Sequence, residues 1–248
     1  MKEETMNGFL AFYKHYDGKF LNPENLKTCA EKLMNDCCII KDETDYQIAE
    51  IEFYYYSSQH PDIITYPRVC SKGLWFFHQS GVDITIDSTK VEYGGILIRS
   101  LIRQDGEIIC GPQNCVNELF NLIDIRGNNY SNIPIIDISQ KKYDLIEIET
   151  SQRYIPFYIR KNDVEKLLTP DKSEEDIYKQ LIERKMEEKF RSIKKGATVI
   201  NIPSEGDFRN YVTAPYRFYL KGLESNHSYK YSPNPFVEEK YKYLYIAE

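Results

Sequence analysis

The chain has 248 residues and a mass of 29.3 kDa, enough to bury a large core as one domain, with 32 basic against 38 acidic residues, a formal net charge of −6 and a pI near 5.4. A negative field repels phosphate, so this balance excludes a uniformly basic nucleic-acid surface and confines any strand contact to a local basic face.

In chain order, Phe9, Leu10, Phe12, Tyr13 and Tyr16 recur at helical spacing and predict a short amphipathic helix over 6–20. Asn22 is placed to cap a second helix, with Pro23 in its first turn and Leu26, Ala30, Leu33 and Met34 on one face. Residues 48–56, Ile-Ala-Glu-Ile-Glu-Phe-Tyr-Tyr-Tyr, read as a strand whose period of two puts Glu50 and Glu52 on one side and Ile51, Phe53 and Tyr55 on the other. Strands follow to about residue 103, including Gly73-Leu74-Trp75-Phe76-Phe77 and Gly94-Gly95-Ile96-Leu97-Ile98-Arg99, and Gln104-Asp105-Gly106-Glu107 reads as a hairpin turn. Gly111-Pro112 opens a helix, residues 116–140 alternate helix with irregular structure around Arg126-Gly127-Asn128-Asn129, and Tyr143 to Glu149 alternates like a strand. Ser173 with Asp176 predicts a helix cap, with Gly196 ending that helix after Lys195 and an apolar stripe at Tyr178, Ile182, Met186 and Phe190. It belongs to a charged helical insertion at about 161–207, which suits either a helix laid on the sheet or a lid or partner-binding arm. Tyr229-Lys230-Tyr231 and Tyr241-Lys242-Tyr243-Leu244-Tyr245 fit a lysine-protected edge strand or a strand-binding surface.

Six cysteines, at 29, 37, 38, 70, 110 and 115, form no CxxC pair, and the four histidines make no cluster with them. The expectation is therefore no metal, with thiols buried in a reducing compartment. Met1-Lys2-Glu3-Glu4-Thr5 lacks the apolar core of a signal peptide and no stretch reaches membrane-spanning length. A soluble, intracellular, cytoplasmic protein without a membrane partner is expected.

Glu52 carries the sharpest chemical signal, because a carboxylate beside rings is poised for desolvation, which raises its pKa toward the range of a general base. A surface strand with a solvated glutamate face has the same spacing. The order of elements resembles the alkyladenine (3-methyladenine) DNA glycosylases, in which a glutamate-rich strand followed by Tyr, a Gly-aromatic strand and an apolar strand ending in Arg succeed one another. Asn22-Pro23 through Cys37-Cys38-Ile39-Ile40, Gly111-Pro112-Gln113-Asn114-Cys115, and Ala214-Pro215-Tyr216-Arg217-Phe218-Tyr219-Leu220-Lys221-Gly222 are similar to further segments of that family, so collinear matches cover about 22–125 and 150–222.

The resemblance implies an α+β single domain, 1–248, with a curved, mostly antiparallel sheet flanked by helices. It assigns Glu52 as the base that activates water and Arg99 as a group that holds the water, with the backbone at Tyr154 also holding it. Tyr54 and Phe77 become walls around an extruded base, and Tyr66 and Asp87 further base contacts. Ser80 takes the place of the family's aromatic wedge, which a serine cannot replace, and Asp87 also reads as a turn residue. Lys72, Arg217 and Lys221 become nucleic-acid contacts, within a candidate basic face that also includes Arg68, Lys90, Arg99, Arg103 and Arg153, charges that read equally as a scattered solvated surface. The implied activity is hydrolysis of the N-glycosidic bond of a damaged or modified purine after base flipping, with no cofactor. Two alternatives stay open: an N-glycosidase on single-stranded nucleic acid or a nucleoside derivative, and a non-catalytic nucleic-acid or nucleotide binding module.

Overall fold

The computed structural model describes residues 23–79, 81–86, 88–120, 135–137, 146–153, 159–196, 201–223 and 246–247. Helix α1 (Pro23–Asn35) starts on proline, whose missing N–H costs nothing in a first turn. Its expected face is buried throughout at Leu26, Ala30, Leu33 and Met34, joined by Cys29. Each of the larger side chains contributes about 1.5–3 kcal/mol by leaving water. The chain then enters β1 (Cys38–Lys41) and turns through two residues, with Asp42 at φ 54°, into the long β2 (Thr44–Tyr56). The helix expected over 6–20 and the Asn22 cap lie outside the described residues.

Strands β3 (Trp75–His78), β4 (Gly81–Thr85) and β5 (Tyr93–Arg103) follow. The expected hairpin turn joins β5 to β6 (Ile108–Cys110), with Arg103 N–H donating to Glu107 O at 2.8 Å and Gly106 at φ 89°. Gly111, at φ 98°, leads into α2 (Pro112–Phe120), again a helix that begins on proline. The chain continues through β7 (Ile135–Asp137), β8 (Ile148–Ser151) and β9 (Ile159–Arg160), then helices α3 (Lys161–Glu165), α4 (Glu174–Gly196) and α5 (Glu205–Val212), and finally β10 (Arg217–Leu220) and β11 (Ile246–Ala247).

The expected α+β class with a mostly antiparallel sheet flanked by helices is present. Nine strands form an open sheet in the order β3-β4-β5-β2-β1-β7, with β6 on β5 and β10 inserted between β2 and β8. Every pair in that sheet is antiparallel, whereas β9 and β11 pair in parallel apart from it. One core cluster lies where α1 and α2 cover Ile39, Ile51, Phe53, Ile84, Ile96, Ile98 and Phe218. A second, separate cluster joins Val164, Ile177, Leu181, Ile182, Met186, Phe190, Phe208 and Val212 to Ile63 and to Tyr56 and Tyr93 at one end of β2 and β5.

Helices α3, α4 and α5 thus pack around that second cluster. Ser173 Oγ accepts from Asp176 N–H at 3.2 Å, as the capping pattern requires, and Ile182, Met186 and Phe190 of the stripe are buried with Tyr178 packed beside them. The Tyr-Lys repeats at 229–245 lie outside the described residues.

Gly94 of β5 pairs with Tyr55 of β2. A Cβ there would stand 2.4 Å from Tyr54 O and 2.6 Å from Ile86 Cδ1. Backbone cannot yield as a flexible side chain does, so Gly94→Ala is expected to destabilise the fold by at least about 1–3 kcal/mol. Chemical denaturation of the variant checks this, and an unchanged midpoint contradicts the close approach.

Candidate functional site

Two irregularities in β2 and β5 build the polar face of the sheet. The register runs Ile48↔Leu101, Glu50↔Ser100, Ile51↔Ile98, so β2 has an extra residue at Ala49 and β5 an extra residue at Arg99. A bulge bends the strand and re-aims side chains. Here Tyr46 and Ile48 face the α1–α2 core, yet beyond the bulge Ile51, Phe53 and Tyr55 do so instead, leaving Glu50, Glu52 and Tyr54 on the opposite face. The same bulge brings both Arg99 and Ser100 to Glu50: Arg99 Nε donates to Oε1 at 3.1 Å and Ser100 Oγ to Oε2 at 2.7 Å.

Arg217, opposite Glu52 on β10, donates from Nε to Glu50 Oε1. Glu52 meets Arg99 Nη1 at 3.3 Å and accepts from Tyr54 Oη at 2.7 Å. Burial, and then the charge of Glu52, push the Tyr54 phenol well above its ordinary range, so it stays protonated and donates.

Two further carboxylates share this buried layer. Asp83 on β4 accepts from Arg68 Nη1 at 2.6 Å and lies 2.9 Å from His78 Nε2, while the Arg68 guanidinium lies 4.1 Å over the Phe76 ring. Asp62 accepts from Arg153 Nη1 at 2.5 Å. Arg153 is 1% exposed and also reaches Phe53 O and Tyr211 O, with its guanidinium 4.7 Å from the Tyr54 ring and 5.2 Å from that of Tyr216. Among the buried described residues, the carboxylates are Glu50, Glu52, Asp62 and Asp83 and the guanidiniums are Arg68, Arg99, Arg153 and Arg217, four of each. The formal charges of these eight side chains thus match in number.

The structure brings together Glu52, Arg99 and Tyr54, and turns Phe77 to the other face. Phe77 pairs with Val82 and so projects to the face away from Asp83 and Glu52, where its ring packs 4.6 Å from Phe120. A wall role beside Glu52 is closed to it, because only alternate residues of a strand share a face. Tyr66 lies 42% exposed with its ring 4.8 Å from His78. Ser80, Asp87 and Tyr154 lie outside the described residues.

The basic face is not assembled. Arg68, Arg99, Arg153 and Arg217 are buried on carboxylates, Arg103 is held by Asp105, Glu107 and Glu118, and Lys221 by Glu147. Lys72 is half-buried and Lys90 exposed. Glu52 is 0% exposed, and among the described residues a small cavity nearby is lined by Phe53, Tyr54, Tyr55, His60, Gly95 and Tyr216, among others.

Asp62 and Asp83 are the acidic residues that the sequence reading missed. The available signal was a single acid in an apolar run, His60-Pro61-Asp62-Ile63-Ile64 and Gly81-Val82-Asp83-Ile84, the same pattern that drew attention to Glu52. Among the described residues no group of three or more His, Cys, Asp or Glu is arranged to hold a metal, and no helix is long and apolar enough to cross a membrane. All six cysteines are free thiols, buried at 29, 37, 38 and 115 and half-buried at 70 and 110.

No protein-family model matches the chain, and no solved structure matches it. The chain is similar to an uncharacterized protein of Acanthamoeba polyphaga mimivirus, at 32% identity over 126 residues. The match covers 40% of this chain and 58% of that protein, so the chain spans less than two thirds of the relative's length.

His60 supplies a pH test of this packing. Burial lowers its pKa below 6.5, partly opposed by Asp62 and reinforced by Arg153. The unfolded chain then binds more protons than the folded one between the two pKa values, so the contribution of His60 to stability falls as pH drops through about 6.5. His60→Gln is expected to flatten the loss of stability between about pH 7 and 5.5 measured by denaturant titration; an unchanged pH slope contradicts the burial effect.

Proposed function

We propose that the Glu52–Arg99–Tyr54 cluster is the reaction centre of an N-glycosidase with a nucleoside-like substrate, on a fold related to the alkyladenine glycosylases. The contact of Glu52 with Arg99, drawn from separate strands at 3.3 Å, carries the reading. In such a reaction Glu52 takes a proton from water as the water oxygen bonds to the anomeric carbon. The glycosidic electron pair leaves with the base, and the carboxylate offsets the positive charge that builds on the sugar. A nucleoside-like substrate is preferred to duplex DNA because Arg68, Arg99, Arg153 and Arg217 are buried and cannot line an exposed strand.

One observation favours a second reading, a non-catalytic binding module in which Glu52 serves as a buried partner of Arg99. Glu52 is wholly buried, with one oxygen on Arg99 and the other on Tyr54.

Glu52→Gln separates the two. It keeps the shape and leaves Arg99 on Glu50, so a stability loss of about 1–3 kcal/mol is expected on either reading. The hydrolase reading expects purified wild-type protein to release a free base from a panel of modified nucleosides, single strands and duplexes, followed by mass spectrometry, and the variant to release none. Release by the variant refutes the role of Glu52, and absence of release by wild type across the panel favours the second reading. Phe77→Ala, on the other face, is expected to leave any release unchanged in the same assay.

A further inference from the structure

Five buried side-chain polar atoms have no hydrogen-bond partner among the described residues: His60 Nδ1, Thr65 Oγ1, Arg68 Nη2, Tyr93 Oη and Arg153 Nε. Their residues are 7%, 2%, 6%, 2% and 1% exposed. An unmade hydrogen bond on a buried polar group costs about 1–3 kcal/mol, and native interiors hold few of them. Five in one molecule call for an explanation when they lie together.

All five belong to segment 57–68 or to side chains set against it. The segment 57–68 folds back on β2 through the bridge Tyr56↔Pro61, and Thr65 N–H donates to Asp62 O at 3.1 Å. Asp62 holds Arg153 at 2.5 Å. Arg68 reaches over Gly95, where a Cβ would stand 2.5 Å from its Nη1, and Gly95 is two residues along β5 from Tyr93, on the same face. Tyr93 stacks on Tyr56 at 4.9 Å, and its hydroxyl is close enough to Asp62 and Arg68 to feel both charges. Burial keeps that phenol protonated.

Four of the five atoms have a hydrogen to offer, and His60 Nδ1 donates or accepts by tautomer. Arg68 Nη2 and Arg153 Nε can only donate, and the Thr65 and Tyr93 hydroxyls each have a hydrogen to offer. Asp83 answers both Arg68 and His78.

We propose that the seam between segment 57–68 and the Tyr54–Tyr93 end of the sheet is a binding site for a small oxyanion, the phosphate or carboxylate group of a ligand, held by Arg68, Arg153, Thr65 and Tyr93. An oxyanion supplies several acceptors at once, and guanidinium and hydroxyl donors are its usual partners. The inference stands on these side chains and not on the hydrolase reading. Joined to that reading, it names the substrate as an N-glycoside bearing an anionic group, since Gly95, under Arg68, pairs with Tyr54, which is two residues or about 7 Å along β2 from Glu52.

Thermal unfolding in inorganic phosphate, in acetate and in sodium chloride of matched ionic strength tests the site on the full chain. The wild type is expected to gain about 2–4 °C in Tm in phosphate or acetate at tenfold excess over Kd, and the anion that gives the larger gain distinguishes the two sources. Tyr93→Phe and Thr65→Val should each be as stable as wild type in sodium chloride, because each deletes an unpaired hydroxyl, and should lose most of the gain in the effective anion. If one variant fails to fold, the other carries the test. No gain for wild type in either anion, the same gain in a folded variant, or a lower Tm of both variants in sodium chloride would overturn the proposal. These results are read without any assay of base release, so failure here and failure of the hydrolase reading remain distinguishable.

Discussion

The pairing of four buried carboxylates with four buried guanidiniums is the constraint on which this molecule depends. Removing one such ion from water costs several kcal/mol, and only a close, hydrogen-bonded counter-ion offsets it. The partners come from distant parts of the chain: Arg99 is 49 residues from Glu50, Arg217 is 167 from it, and Arg153 is 91 from Asp62. The full set is compensated only when β2, β5 and β10, segment 57–68 and Arg153 after β8 are all in place. Alternative arrangements that strand a charge are thereby penalised, which accounts for β10 lying between β2 and β8 although it follows most of the sheet in sequence.

The two faces of the sheet divide the physical work. The face under α1 and α2 is apolar and supplies stabilisation by burial, with Phe53 and Phe218 edge to face at 5.6 Å at its centre. The other face places charge, hydroxyl and ring together in a region from which water is excluded, the condition under which electrostatic interactions are strongest. Chemistry on a carboxylate such as Glu52 would draw on that condition. The same burial keeps Arg68, Arg99, Arg153 and Arg217 off the exposed surface, so a net charge of −6 is not relieved by a basic patch built from them.

Local structure was legible in the sequence where it depends on local rules. The stripe of α1, the Ser173–Asp176 cap of α4, the Gln104–Glu107 turn and the alternation of Ile51, Phe53 and Tyr55 against Glu50, Glu52 and Tyr54 all follow from periodicity, capping and turn chemistry within a few residues. The bulge at Ala49 and Arg99 was not legible, because a bulge is a property of register between two strands and neither strand records it alone. Phe77 illustrates the same limit: its strand was recognised, but its face is set by pairing with Val82. The arginines were misread as surface because residue type carries a prior for exposure, and only the facing carboxylate reverses it. Contact of Glu52 with Arg99 entered through family likeness and not through any local rule.

The most direct test of the coupled charge layer is a double-mutant cycle on Asp62 and Arg153, with Asp62→Asn, Arg153→Met and the double variant compared by chemical denaturation. Each single change leaves a buried charge without its partner, whereas the double change removes both. The account predicts a double variant more stable than the sum of the two losses implies, with a coupling of at least about 1 kcal/mol. Losses that add to within about 0.5 kcal/mol would contradict it.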